Sequence, residues 1–179
     1  MASSLQEENI KAAFDLLDTD GNGVLERQDF DLKAEKARKE FALVAGSPKH
    51  RNLQVAYTAW WERIRAAADV NEDGRVTREE FVTSVINGML SDPDYFDTTI
   101  GGFARALFEA ADDAGTGAIG QGQFVRIFGT VGIPADAAEA AFAAYGASTI
   151  DLDTFVTAAR DAYGSNDPDA PGTATFGRR

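Results

Sequence analysis

The sequence predicts an all-α protein made of four helix–loop–helix units, in two paired lobes packed into one compact body. Three observations predict it. Two acidic twelve-residue stretches, Asp18–Asp29 (DTDGNGVLERQD) and Asp69–Glu80 (DVNEDGRVTREE), share one pattern. Each has an apolar residue at its eighth position (Leu25, Val76) and a Phe directly after its twelfth (Phe30, Phe81). The segments on either side carry apolar residues at helical spacing. The two loops begin 51 residues apart, which leaves room for two long helices between them.

The loops carry the chemistry. In the first, Asp18, Asp20 and Asn22 stand at positions 1, 3 and 5, so alternate side chains present oxygens to the inside of a tight loop. Gly23 takes the turn that a Cβ would resist, and Val24 offers its backbone carbonyl. Glu26 at position 9 and Asp29 at position 12 complete the set. The second loop supplies Asp69, Asn71 and Asp73, then Gly74, the Arg75 carbonyl, Thr77 and finally Glu80, long enough to offer two oxygens. A hard cation with six to eight oxygen ligands fits this arrangement, and calcium is the expected ion. One such run also occurs in solvated acidic turns; two in the same frame point to ion binding. Two calcium ions are expected. Asp29 is one methylene shorter than Glu80, so it is expected to reach an ion through one oxygen, which lets Mg2+ compete at the first loop. Direct ligation by Glu26 would offset that.

Along the chain, Ser4 and Glu7 have the spacing of a capping box, and Ile10, Ala13, Phe14 and Leu17 line one face of the helix they open. After the first loop, Phe30, Ala34, Ala37, Phe41 and Val44 predict a long exiting helix that stops near Gly46. Ser47-Pro48 reads as the N-cap and first position of the next helix, whose apolar side is Tyr57, Trp60, Trp61 and Ile64. One of the adjacent tryptophans is expected in the core, the other between lobes. Thr77 and Glu80 again have capping-box spacing. Phe81, Val85 and Ile86 line the helix that follows, with fraying expected around Gly88. Asp92-Pro93 opens a helix running through Phe96, Ile100, Phe103 and Leu107 to Ala111.

The second half keeps the frame and loses the ligands. In residues 112–123 Gly117, Ile119 and Phe124 hold their expected places, but Asp112 is the one carboxylate left at a ligand position; Ala114, Thr116 and Gln123 fill the others. The fourth loop, about residues 146–154, has lost about three residues against the template. Its Asp151 and Asp153 suit a helix start. Both loops are expected to be structural, with Ile119 pairing Ile150 as Leu25 pairs Val76. The expected divisions are residues 1–90, 91–165 and a Pro/Gly-rich tail, 166–179, with Phe176 as its one apolar anchor.

A net charge of −12 without a basic face argues against nucleic acid. No apolar run approaches the length of a membrane helix, no secretory signal is visible, and no cysteine is present. A cytoplasmic monomer is expected. The single histidine, His50, lacks companions for a transition-metal site and suits a capping role. No serine has a recognisable base and the glycine-rich pieces follow no strand, so an enzyme is not expected.

With two intact and two worn loops at this spacing, the chain resembles the sarcoplasmic calcium-binding protein and calerythrin family of EF-hand proteins. The Ala/Gly/Asp-rich composition also resembles the small calcium-binding proteins of filamentous actinomycetes. The resemblance implies a compact, all-helical calcium buffer. The worn second half departs from the family, where the third or fourth loop often binds as well. Sensors line an opened groove with Met, whereas this chain has two Met, one of them the first residue. A buffer is therefore expected, with a sensor that signals to a protein partner as the alternative.

Overall fold

The computed structural model describes residues 4–164; the expected Ser4 side-chain cap and the tail with Phe176 lie outside what is described. Eight helices and four very short strands follow the predicted order. Helix α1 (Ser4–Leu17) enters the first loop, β1 (Val24–Leu25) crosses it and α2 (Arg27–Glu40) leaves it. Helix α3 (Pro48–Ala68), β2 (Val76–Thr77) and α4 (Arg78–Ser91) form the second unit. Helix α5 (Gly102–Ala111), preceded by one turn of π-helix (Asp97–Gly101), leads through β3 (Ala118–Gly120) to α6 (Gln121–Val131). Helix α7 (Ala135–Ala143), β4 (Thr149–Asp151) and α8 (Leu152–Gly164) complete the fourth. Among the described residues no helix is long and apolar enough to cross a membrane.

The loops join in sequence-adjacent pairs. Strand β1 runs antiparallel to β2 with Leu25 opposite Val76, and β3 runs antiparallel to β4 with Ile119 opposite Ile150. Leu25, Val76 and Ile119 are fully buried and Ile150 nearly so. The apolar eighth positions therefore tie each pair of loops together from the core side, as their spacing predicts.

Three helix ends depart from expectation. Helix α2 stops at Glu40, before Val44, which is exposed. Its end is a Schellman turn: the Leu43 N–H donates to the Arg38 carbonyl and the Ala42 N–H to that of Lys39, with Ala42 at φ 51°. Turning there buries Leu43, and that apolar contact outweighs one more helical turn. Helix α4 runs through Gly88 to Ser91. The glycine marks a close contact: a Cβ there would stand 2.1 Å from Cε2 of Tyr95. The residues after Asp92-Pro93 enter through a π turn, with Asp97 held by Arg160 of α8 at 2.8 Å. Ser47 does accept from the His50 N–H with Pro48 at the first helical position, and the His50 ring accepts at Nδ1 from the Gly46 N–H.

The two lobes meet through aromatic rings. Phe30 touches both Trp60, at 5.6 Å and nearly edge-on, and Trp61, at 5.4 Å. Trp60 then stacks on Phe103 of the second lobe, 4.3 Å between centroids, and Tyr57 packs edge-on to the same ring at 4.7 Å. Trp60 is thus the inter-lobe tryptophan and Trp61 belongs to the first lobe. A cavity of about 80 Å3 remains where the apolar faces meet, its walls including Ala13, Leu17, Trp60, Phe103, Ile127 and Phe155. Polar links frame the contact: Lys36 donates to the Gly129 carbonyl at 2.8 Å, Asn9 to that of Ala162 at 3.1 Å, and Arg126 pairs with Glu40 at 3.1 Å. Trp60→Ala removes the ring shared by the lobes and is expected to cost about 3–5 kcal/mol of unfolding free energy in urea titration. Val55→Ala on the same helix, at an exposed site, should stay within about 0.5 kcal/mol.

Candidate metal sites

The first loop closes around its own acids. Both oxygens of Asp18 accept backbone N–H groups, from Asn22 at 3.1 Å and Gly23 at 2.8 Å. Asp20 accepts from the Asn22 backbone and side chain, and the Asn22 oxygen accepts from the Val24 N–H. Gly21 and Gly23 both lie at positive φ, which brings these N–H groups inward. Asp29, in the first turn of α2, joins the loop's two ends: Oδ1 accepts from the Thr19 N–H at 2.8 Å and Oδ2 from the Glu26 N–H at 2.9 Å. As a result, oxygens of Asp18, Asp20 and Asp29 all lie within 4.8 Å of one another. Three carboxylates facing one point repel unless a cation sits among them.

Asp29 pays for its position. It is 2% exposed, and burial, with repulsion from Asp20 and Asp18 added, raises its pKa above the ordinary carboxylate range despite the hydrogen bonds from Glu26 and Thr19.

The second loop repeats the turn with its last acid facing elsewhere. Asp69 accepts from Asp73 and Gly74, Asn71 from Asp73, and Asp73 from Arg75. Glu80, however, returns to Thr77, its Oε2 accepting the N–H at 2.9 Å and the hydroxyl at 2.8 Å. This is the capping box its spacing predicts; Asp29 makes the same box with Glu26 yet converges with Asp18 and Asp20, whereas Glu80 does not converge with Asp69 and Asp73. The loop with the fuller sequence pattern is therefore the less converged one.

One side chain does something that position alone did not predict. Glu26 does not join the three converged acids; its Oε1 lies 2.7 Å from Nε of Arg75, across from the other loop. The β1–β2 register was the available signal, since continuing it by one residue sets 26 against 75. In the worn third loop Asp112 accepts from Thr116 and Gly117, Gln123 accepts from the Gly120 N–H at 2.9 Å, and Thr116 donates to the Ala118 carbonyl. That loop holds its shape with its own hydrogen bonds. Asp151 accepts from the Thr154 N–H at 2.8 Å, a helix-start role.

The raised Asp29 pKa has a definite sign. The folded protein holds that proton more tightly than the unfolded chain, so between the ordinary and the raised value stability falls as pH rises. In ion-free protein from about pH 4 upward, Asp29→Asn should gain stability relative to the native chain as pH increases, read by urea unfolding at each pH.

The comparisons agree with this geometry. Residues 7–86 match the family model of an EF-hand domain pair. Calerythrin of Saccharopolyspora erythraea is 28% identical over 165 residues, 90% of this chain and 93% of that one. A sarcoplasmic calcium-binding protein of Scylla paramamosain is 34% identical over 119 residues, 61% of this chain and 58% of that one. A Streptomyces coelicolor calcium-binding protein, solved as the basis of prokaryotic calcium-mediated regulation, superposes with a TM-score of 0.75 at 29% identity, covering 90% of this chain and 99% of that one. Residues 7–86 carry an EF-hand domain pair, and the chain is similar to calerythrin along nine-tenths of its length.

Proposed function

We propose that this chain binds two calcium ions, one in each loop of its N-terminal pair, and acts as a calcium buffer. The observation that carries the reading is the convergence of Asp18, Asp20 and Asp29 on one point, in a loop paired with a second of the same pattern. The first ion would be held by those three acids with Asn22 and the Val24 carbonyl. The second would be held by Asp69, Asn71, Asp73, the Arg75 carbonyl, Thr77 and Glu80, the last turning inward from Thr77. The names of the relatives, calerythrin and sarcoplasmic calcium-binding proteins, support calcium as the ion. The apolar faces of the two lobes cover each other around Trp60 and Phe103, which supports uptake without an exposed groove.

A sensor is the second reading, and one observation favours it. Glu80 caps the start of α4 through two bonds from Thr77 to its Oε2, so ligating an ion with both oxygens would exchange bonds at that helix end. The Streptomyces coelicolor protein, named for calcium-mediated regulation, fits the same reading. Scattering with and without calcium separates the two: a buffer keeps its radius of gyration, a sensor expands.

Calorimetry should count two ions; three or four tight sites would refute the assignment. Glu80→Gln removes a charge and an oxygen donor from the second loop, and its calcium affinity should fall at least about tenfold, 1.4 kcal/mol. The first loop should weaken less, through the shared strands. Millimolar magnesium should compete more at the first loop than the second, because Asp29 is the shorter acid. Asp29→Glu should shift that loop toward calcium, and equal competition at both loops would overturn this point.

A further inference from the structure

We propose that Arg75 sets the cation preference of the first loop by holding Glu26 away from it. The inference rests on the first loop being a cation site. The paired strands put Val24 opposite Thr77 and Leu25 opposite Val76, and one more step brings Glu26 and Arg75 face to face at 2.7 Å. The arrangement is lopsided. Position 9 of the first loop is an acid that meets a guanidinium, whereas position 9 of the second, Thr77, meets the apolar Val24.

A carboxylate engaged by Arg75 is not also turned into the loop, and Glu26 is indeed absent from the converged trio. While the pair holds, the first loop offers three acids, Asn22 and one carbonyl, a small oxygen set that suits six-coordinate magnesium as well as calcium. When it is broken, a fourth acid becomes available and the larger coordination number of calcium is favoured. Arg75 also belongs to the second loop, where its carbonyl stands at the seventh position. An ion there steadies the backbone that carries the guanidinium, so one residue links the occupancy of the second loop to the selectivity of the first.

The test is a double-mutant cycle of Glu26→Gln and Arg75→Gln, titrated with calcium and with magnesium. Both side chains are solvent-accessible, at 30% and 62% exposure, so the variants keep the fold. The Gly23 amide, which donates to Asp18, and the Gly74 amide, which donates to Asp69, report the two loops separately by NMR. Arg75→Gln should raise the calcium-over-magnesium preference of the first loop about three- to fivefold, the most an exposed pair can withhold, and change the second far less. Glu26→Gln should change first-loop calcium affinity less than about threefold in the native chain, as expected for an exposed ion pair. In the Arg75→Gln background it should erase the gain. Equal effects of Glu26→Gln in both backgrounds, or equal gains at both loops, overturn the proposal. The Nε–H signal of Arg75 in ion-free protein tests the pair without any metal: it should shift on Glu26→Gln, and indifference also overturns the proposal. If Gly23 responds to neither ion in any variant, the cation reading of the first loop has failed instead.

Discussion

Everything in the N-terminal half depends on a pairing two residues long. Strands of that length have no stability of their own; β1 and β2 persist because Leu25 and Val76 are fully buried at the point where four helices meet. That contact sets the separation of the two loops. It also determines which residues face one another across them, including Glu26 and Arg75. Moving the register by one residue would turn Leu25 toward solvent, so the core enforces the alignment of the two acidic loops.

The same device holds the C-terminal half, whose loops carry fewer acids. Ile119 and Ile150 keep the strands together, and the acids are replaced by neutral hydrogen bonds from Thr116 and Gln123. Asp112 still draws the Thr116 and Gly117 N–H groups inward, as Asp18 does in the first loop. A loop closed in this way needs no ion to maintain its turn. The second lobe packs over the first, with Phe103 stacked on Trp60 and Lys49 of α3 donating to the Asp112 carbonyl at 2.7 Å. Bridges of this kind hold together a body with a net charge of −12.

The two intact loops illustrate how pattern and geometry diverge. Glu80 is the longer acid, and both its bonds to Thr77 run through Oε2. Asp29 caps its helix in the same way through Glu26, and its second oxygen takes the Thr19 N–H at the start of the loop, which keeps it beside Asp18 and Asp20. The shorter side chain thus belongs to the more converged set of acids, at the cost of a buried carboxyl beside two others.

Sequence alone determined the all-α class, the four units, the two acid-rich loops and the pairing of eighth positions. Each of these is written in local spacing: oxygen donors on alternate residues, one glycine at the turn, apolar residues at helical intervals. Tertiary structure decided the rest. Helix α2 ends early because Leu43 finds the core, and α4 passes Gly88 because the Tyr95 ring needs that space. The direction of Glu80 depends on its competing bonds to Thr77, and the direction of Glu26 on a guanidinium from a loop 49 residues away. Such partners are distant along the chain and are brought together only when the strands pair, so no pattern within one loop contains them.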